Sequence, residues 1–258
     1  MRLMKRILSA AAVLALSASL LVGCSSGTAS SVPVSASSAA ESTVSSVEET
    51  ASSAVDENEA AAAQLLNDLT GSYQELWPVI LADEYKQTWL DDCTALVGED
   101  NAEAAFEKLS SMVTSDVYGE DAVEAYANGG GAYFCGFTNS LATLTFDGET
   151  STISGTDKDG NVLFSHTYHY IGMEPVRGLY EFESDDADSG EFTYFFLAPD
   201  TSAETYHIEF RYGSDAEALS QYDAGKYAYW LASGISTDCD QTMIDNCIEL
   251  FCTENLAG

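Results

Sequence analysis

Residues 191–210, EFTYFFLAPDTSAETYHIEF, hold two short runs of aromatic and β-branched residues separated by Ala198-Pro199-Asp200 and a polar stretch. The first run is Phe192–Leu197, and the second, Thr205–Tyr212, extends just past the quoted segment. Such runs bounded by turn residues read as strands. Side chains alternate along a strand, so Thr205, His207 and Glu209 share one face of the second. The same period of two governs the chain on both sides. Ala132–Phe137, Leu141–Phe146, Thr150–Gly155, Val162–Tyr170, Leu179–Glu183 and Tyr227–Leu231 repeat the pattern. Asp147-Gly148 and Asp159-Gly160 supply hairpin turns between them. Strands this short and this closely spaced argue a meander closed into a sandwich or a barrel.

Before Gly131 the period is 3.6. Glu59–Leu69 places Leu65, Leu66 and Leu69 on one face, and Gly71 stops it. Tyr73–Trp77 reads as an aromatic continuation ahead of Pro78. Glu84–Leu96 carries Tyr85, Trp89, Leu90, Cys93 and Leu96 at helical spacing. Asn101 is a candidate N-cap for a third helix with Ala105, Phe106, Leu109 and Met112 or Val113 inward. Glu120–Ala127 is a fourth, stopped by Asn128 and three glycines. At the far end Cys239–Leu256 is amphipathic, with Met243, Ile244, Cys247, Ile248 and Phe251 inward and an Asp at its start.

The N-terminus reads as an export signal. Arg2, Lys5 and Arg6 precede an apolar run, Ile7–Val22, that ends in Leu21-Val22-Gly23-Cys24. This is the pattern of a bacterial lipoprotein signal. Residues 1–23 are expected to be removed and Cys24 diacylated, and two acyl chains suffice for stable anchoring. The expected location is therefore extracytoplasmic, anchored to the cell membrane by lipid alone. Residues 24–58 are mostly Ser, Ala, Val, Thr and Glu, a composition that cannot bury enough apolar surface to order itself. They read as a flexible linker to one folded domain, 59–258.

The chain carries 9 Lys and Arg against 42 Asp and Glu, a net charge of −33. Signal removal takes three of the basic residues with it. A surface this acidic repels polyanions, so nucleic acid is excluded as a partner. It keeps an exported protein soluble and attracts divalent cations or basic partners. Besides Cys24 there are Cys93, Cys135, Cys239, Cys247 and Cys252, with no Cys-x-x-Cys pair. That spacing favours neither a thiolate zinc knuckle nor a redox motif. Cys247 and Cys252 fall about 140° apart around a helix, poor geometry for a bridge. Small buried hydrophobes are the expected role, with one disulfide among the others left open.

Histidine is scarce: His166, His169 and His207 complete the set. His166 and His169 point to opposite faces of one strand, so only one of them can look into a barrel with His207. A site of one or two imidazoles with Glu209 or Asp200 competes with three hydrogen-bonding, partly buried histidines. The acidic loops at 157–160 and 185–191 do not match a calcium-loop spacing. The first is better read as an Asp-Gly hairpin turn. Neither a nucleophile elbow, a His-Glu-x-x-His helix nor a phosphate loop is present, so an enzyme is the least expected class.

Several segments together resemble the ZinT-type zinc-binding domain. LTGSYQELWPVI at 69–80, YHYIG at 168–172, VRGLYEFE at 176–183, EFTYFFLAP at 191–199 and YHIEFRYGSDAEAL at 206–219 follow in that family's order. The likeness covers Leu69 to Asn255. It implies an α+β, β-rich fold: a lipocalin-like (calycin) antiparallel β-barrel with N-terminal helices and a C-terminal helix. It also implies extracytoplasmic zinc binding and a metal-import transporter component as partner. The family's ligands are one His in a Ser-Asp-His turn and a His-x-His pair on the next strand. His207 matches the second His of the pair, Thr205 stands at the first, and the turn is shortened to Leu197-Ala198-Pro199-Asp200. The expected function is divalent-metal (zinc) binding by His207, helped by His166 or His169. The alternative is a metal-free lipocalin-like module holding a small ligand or a partner protein.

Overall fold

The computed structural model describes residues 57–198 and 207–257. The signal segment, Cys24, nearly all of the linker, Asp200 and Thr205 lie outside the described residues. Eight antiparallel strands form a closed barrel in sequence order, and β1 pairs with both β2 and β8 to close it. They are β1 (Gly71–Glu75), β2 (Thr143–Asp147), β3 (Thr152–Thr156), β4 (Val162–Met173), β5 (Tyr180–Ser184), β6 (Tyr194–Leu197), β7 (His207–Gly213) and β8 (Ala232–Ser236). The barrel and its flanking helices are the architecture expected. Two of the eight strands are not those expected.

The first strand of the barrel is Gly71–Glu75, which the sequence reads as a lead-in to Pro78. Its only fully buried residue is Tyr73, so it carries little strand signal of its own. The eighth is Ala-Ser-Gly-Ile-Ser, a string of small residues that looks like a loop. It is buried on both faces: Ala232 turns into the barrel core and Ile235 outward under helices. Partners, rather than propensity, select both strands. In exchange, 132–137 and 227–231 are not barrel strands. They run beside each other as a separate pair, joined by the parallel bridge Phe134–Trp230 and by Phe134 N donating to Tyr229 O at 2.9 Å.

The helices are α1 (57–68), α2 (Leu76–Ile80), α3 (Lys86–Val97), α4 (Glu99–Met112), α5 (Glu120–Ala125), α6 (Ala216–Leu219) and α7 (Gln241–Leu256). α1 lays Leu65 and Leu66 onto the barrel core, with Leu69 just after it, the face expected, and adds Ala62. The β2–β3 hairpin comes so close that a Cβ on Gly148 would sit 2.4 Å from the Asn67 Cα. Pro78 falls in the first turn of α2, where its missing N–H has no intrahelical partner to lose. Asn101 is not a cap. α4 begins two residues earlier after Gly98, and the Asn101 side chain donates back to Val97 O. Asp240 does cap α7, accepting from Met243 N at 3.0 Å.

α2, α3, α4 and α7 form a second core against the outer face of β8, built on Trp77, Ile80, Trp89, Cys93, Leu109, Ile244 and Ile248. Trp89 sits at its centre and donates to Ile80 O at 2.7 Å. The α3–α7 seam is acidic as well as apolar. Asp92 Oδ2 is buried with no hydrogen-bond donor among the described residues. Burial first, then the carboxylates of Glu249, Asp245 and Asp91, push its pKa up. A carboxyl whose folded pKa is raised stabilises the fold below its unfolded value and loses that contribution as pH rises through the folded value. Asp92→Asn is therefore expected to raise stability at pH 7 by about 1 kcal/mol. In urea titrations from pH 7 downward, the advantage should vanish near the ordinary aspartate value of 3.8. An unchanged or lowered midpoint at pH 7 would refute the assignment.

Candidate functional site

The alternation along β7 decides where its chemistry points. Ile208, Phe210 and Tyr212 belong to the barrel core, so His207 and Glu209 face outward. There they line a cavity of about 40 Å³ with Leu76, Trp77 and Ile80 of α2 and Cys247, Leu250, Phe251 and Glu254 of α7. Cys247 and Glu254 lie two turns apart on one face of α7, which brings both to the same cavity. This wall holds an imidazole, a thiol and two carboxylates, donor types that suit zinc. All four already have partners within the protein. Among the described residues, no group of three or more His, Cys, Asp or Glu is placed so that it could hold a metal ion.

His207 opens β7 at the end of the barrel where β6 finishes. The structure does not bring the other two imidazoles there. His166 lies on the inward face of β4 with Phe164 and Tyr168, and its Nδ1 meets Asp186 Oδ2 at 2.8 Å. His169 faces out from β4, its Nδ1 2.7 Å from Asp185 Oδ1. Asp185 and Asp186 belong to the β5–β6 connection, which an antiparallel meander puts at the opposite end from the β6–β7 connection. The two histidines thus tie down a loop, and the help expected from His166 or His169 at His207 is not available in this arrangement.

Next to the His207 cavity, and sharing Trp77 with it, lies a larger one of about 330 Å³. Glu75, Pro78, Leu81, Val113, Thr114, Ser115, Phe134, Cys135 and Gly136 complete its lining. Glu75 is held by Phe137 N, which donates to its Oε1 at 2.6 Å. Burial, reinforced by the Glu209 carboxylate, pushes the Cys135 thiol up to about 12, so it stays protonated near neutral pH and is a poor nucleophile. The Trp77 indole N–H is buried without an acceptor among the described residues. Sequence reasoning reached His207 and Glu209 through their shared strand face. It missed Glu254 and Trp77; the helical spacing of Cys247 and Glu254 was the one available signal.

The barrel interior is filled by the chain's own rings. Phe164 stacks on Phe192 with centroids 4.0 Å apart, and Phe195, Tyr212 and Trp230 continue the series at 5.3 and 4.9 Å. Phe195, Phe210, Tyr212 and Trp230 are all fully buried. The Asp157 loop is a hairpin turn, as its Asp-Gly signature predicts. Asp157 Oδ1 accepts from Asp159 N and Asn161 N, each at 2.9 Å.

No protein-family model and no curated protein matches the sequence. Solved structures of similar fold include two from Streptococcus pneumoniae. The Zn(II)-bound ZinT-like domain of Streptococcus pneumoniae AdcA superimposes with a TM-score of 0.46 at 15% identity, over 71% of this chain and 89% of that one. Zn(II)-bound AdcA from Streptococcus pneumoniae gives 0.43 at 14% identity, over 72% of this chain and 35% of that one.

Proposed function

We propose that the chain is an extracytoplasmic lipoprotein, anchored through Cys24, whose barrel domain binds a divalent metal ion, zinc, for delivery to an import system. The observation that carries the metal reading is the convergence of His207, Glu209, Cys247 and Glu254 on one cavity between β7 and α7. His207 anchors the ion, and Glu209 on the same strand face is its nearest helper. Fewer than three fixed protein donors predict weaker binding than a three-imidazole site gives. The role in this reading is binding rather than catalysis.

Zinc titration calorimetry on the metal-stripped protein tests this. One zinc per chain is expected, and His207→Ala should weaken it at least tenfold, roughly 1.4 kcal/mol. His166→Ala and His169→Ala should leave it unchanged, because both residues serve the β5–β6 loop. Equal affinity for wild type and His207→Ala, or no binding below about 1 mM, roughly −4 kcal/mol, would sink the proposal. A metal-free binding module is the second reading. The 330 Å³ cavity beside Trp77 favours it, whereas the ring-filled barrel interior does not.

A further inference from the structure

The Sγ atoms of Cys93 and Cys252 lie 3.9 Å apart, and both residues are fully buried. Cys93 belongs to α3 and Cys252 to α7, elements far apart in sequence that meet along one seam. The other thiols have different surroundings. Cys247 faces the His207 cavity, Cys135 lies on the outer segment beside β8, and Cys239 precedes α7 and is only half-buried. The seam also carries mutually repelling carboxylates, Asp92 against Asp245 and Glu249, which work against the apolar contact there.

We propose that Cys93 and Cys252 are the site of an intramolecular disulfide that staples α7 to α3. The step joins the two Sγ atoms and releases two protons and two electrons. A disulfide-bearing oxidant, such as a thiol–disulfide oxidoreductase or oxidised glutathione, accepts the electrons and leaves as two thiols. The sulfurs must close by roughly 2 Å to reach a bond of about 2.05 Å. Desolvation raises the pKa of both thiols. The attacking thiolate is therefore scarce once the seam is packed, and the bond forms while the chain folds. The staple opposes the carboxylate repulsion and closes a loop long enough for a large loss of unfolded-state entropy.

The full chain, expressed with export, purified without reductant and equilibrated with oxidised glutathione, is denatured in iodoacetamide, digested and mapped by mass spectrometry. The expected product is a Cys93–Cys252 linked peptide, two hydrogens lighter than the dithiol pair and absent from Cys93→Ala. Dithiothreitol should lower the wild-type Tm by roughly 10 °C and leave that of Cys93→Ala unchanged. If Cys93→Ala does not fold, the wild-type peptide map decides by itself. Both cysteines recovered as alkylated thiols after oxidation, or either one linked to a different cysteine, would overturn the proposal.

Discussion

Trp230→Ala is expected to cost about 4 kcal/mol of folding stability, within the range for truncating a fully buried large aromatic residue. Trp230 has no exposed surface. It meets Tyr212 edge-on at 4.9 Å, lies 5.8 Å from Tyr118 and 6.0 Å from Tyr227, and donates its indole N–H to Gly136 O at 2.9 Å. Truncation removes these contacts and leaves the Gly136 carbonyl without its donor. It also opens a hole that the stacked rings of Phe192, Phe195 and Tyr212 are too rigid to fill. Trp230→Phe should cost about half as much, because most of the volume stays and only the hydrogen bond and part of the ring are lost. Urea unfolding of the three proteins measures this. A loss below about 1 kcal/mol for the alanine variant would mean that this end of the barrel collapses freely, and that its interior could adapt to a ligand after all.

That result bears on function because the same aromatic run, Tyr227-Ala228-Tyr229-Trp230, invites a ligand-binding reading when met as sequence. Read as a strand, it would put Tyr227 and Tyr229 on one face and Trp230 on the other. In the structure the run is a turn, with Tyr229 at a φ of 54°, and its tryptophan is a plug. The 133–137 segment pairs with 229–231 and with the start of β8, so its composition says strand although it is not one of the eight barrel strands.

How far the fold was legible depended on whether a segment's own residues or its neighbours determined its state. β4 and β7 carry aromatic and β-branched residues at period two, and both are strands where expected. α7 declares itself through a capping Asp and an apolar stripe. β1 and β8 do not, because short polar and small residues become strands only when β2, β7 and an overlying helical layer pin them. The site followed the same logic. Alternation along β7 pairs His207 with Glu209, yet nothing local says whether that face looks into the barrel or out. The outward direction is decided by Ile208, Phe210 and Tyr212 filling the core. Once it is known, the relevant partners are on α7, far away in sequence, and the imidazoles of β4 drop out.

Arg211→Met is expected to cost about 3 kcal/mol, in the range for breaking a buried charged network, and to loosen the segment that carries Trp230. Arg211 is the one fully buried basic side chain among the described residues. Among the described residues its guanidinium makes no ion pair. It donates instead to main-chain oxygens: Nη1 to Leu219 O, and Nη2 to Tyr227 O and, at 3.2 Å, to Gln221 O. Its charge rests 4.3 Å from the centre of the Tyr222 ring, whose other neighbour is Arg177 at 4.5 Å. Tyr222 in turn donates to the buried Glu174 at 3.3 Å. Burial lowers the Arg211 pKa, which measures the desolvation the carbonyls must offset, and Nε is left with no acceptor among the described residues. Methionine keeps the stem and removes that desolvation cost, but it strands three carbonyls at once, each costing about 1 kcal/mol or more. Lysine should not restore stability, because a single ammonium cannot span the three oxygens that the planar fork reaches. Hydrogen exchange resolved along 214–230 separates this account from a general loss of packing: protection should fall there first and most. Because Arg211 holds the Tyr227 carbonyl and Trp230 follows three residues later, Arg211→Met and Trp230→Ala should be less than additive when combined. Full additivity would show that the guanidinium and the plug stabilise the barrel independently.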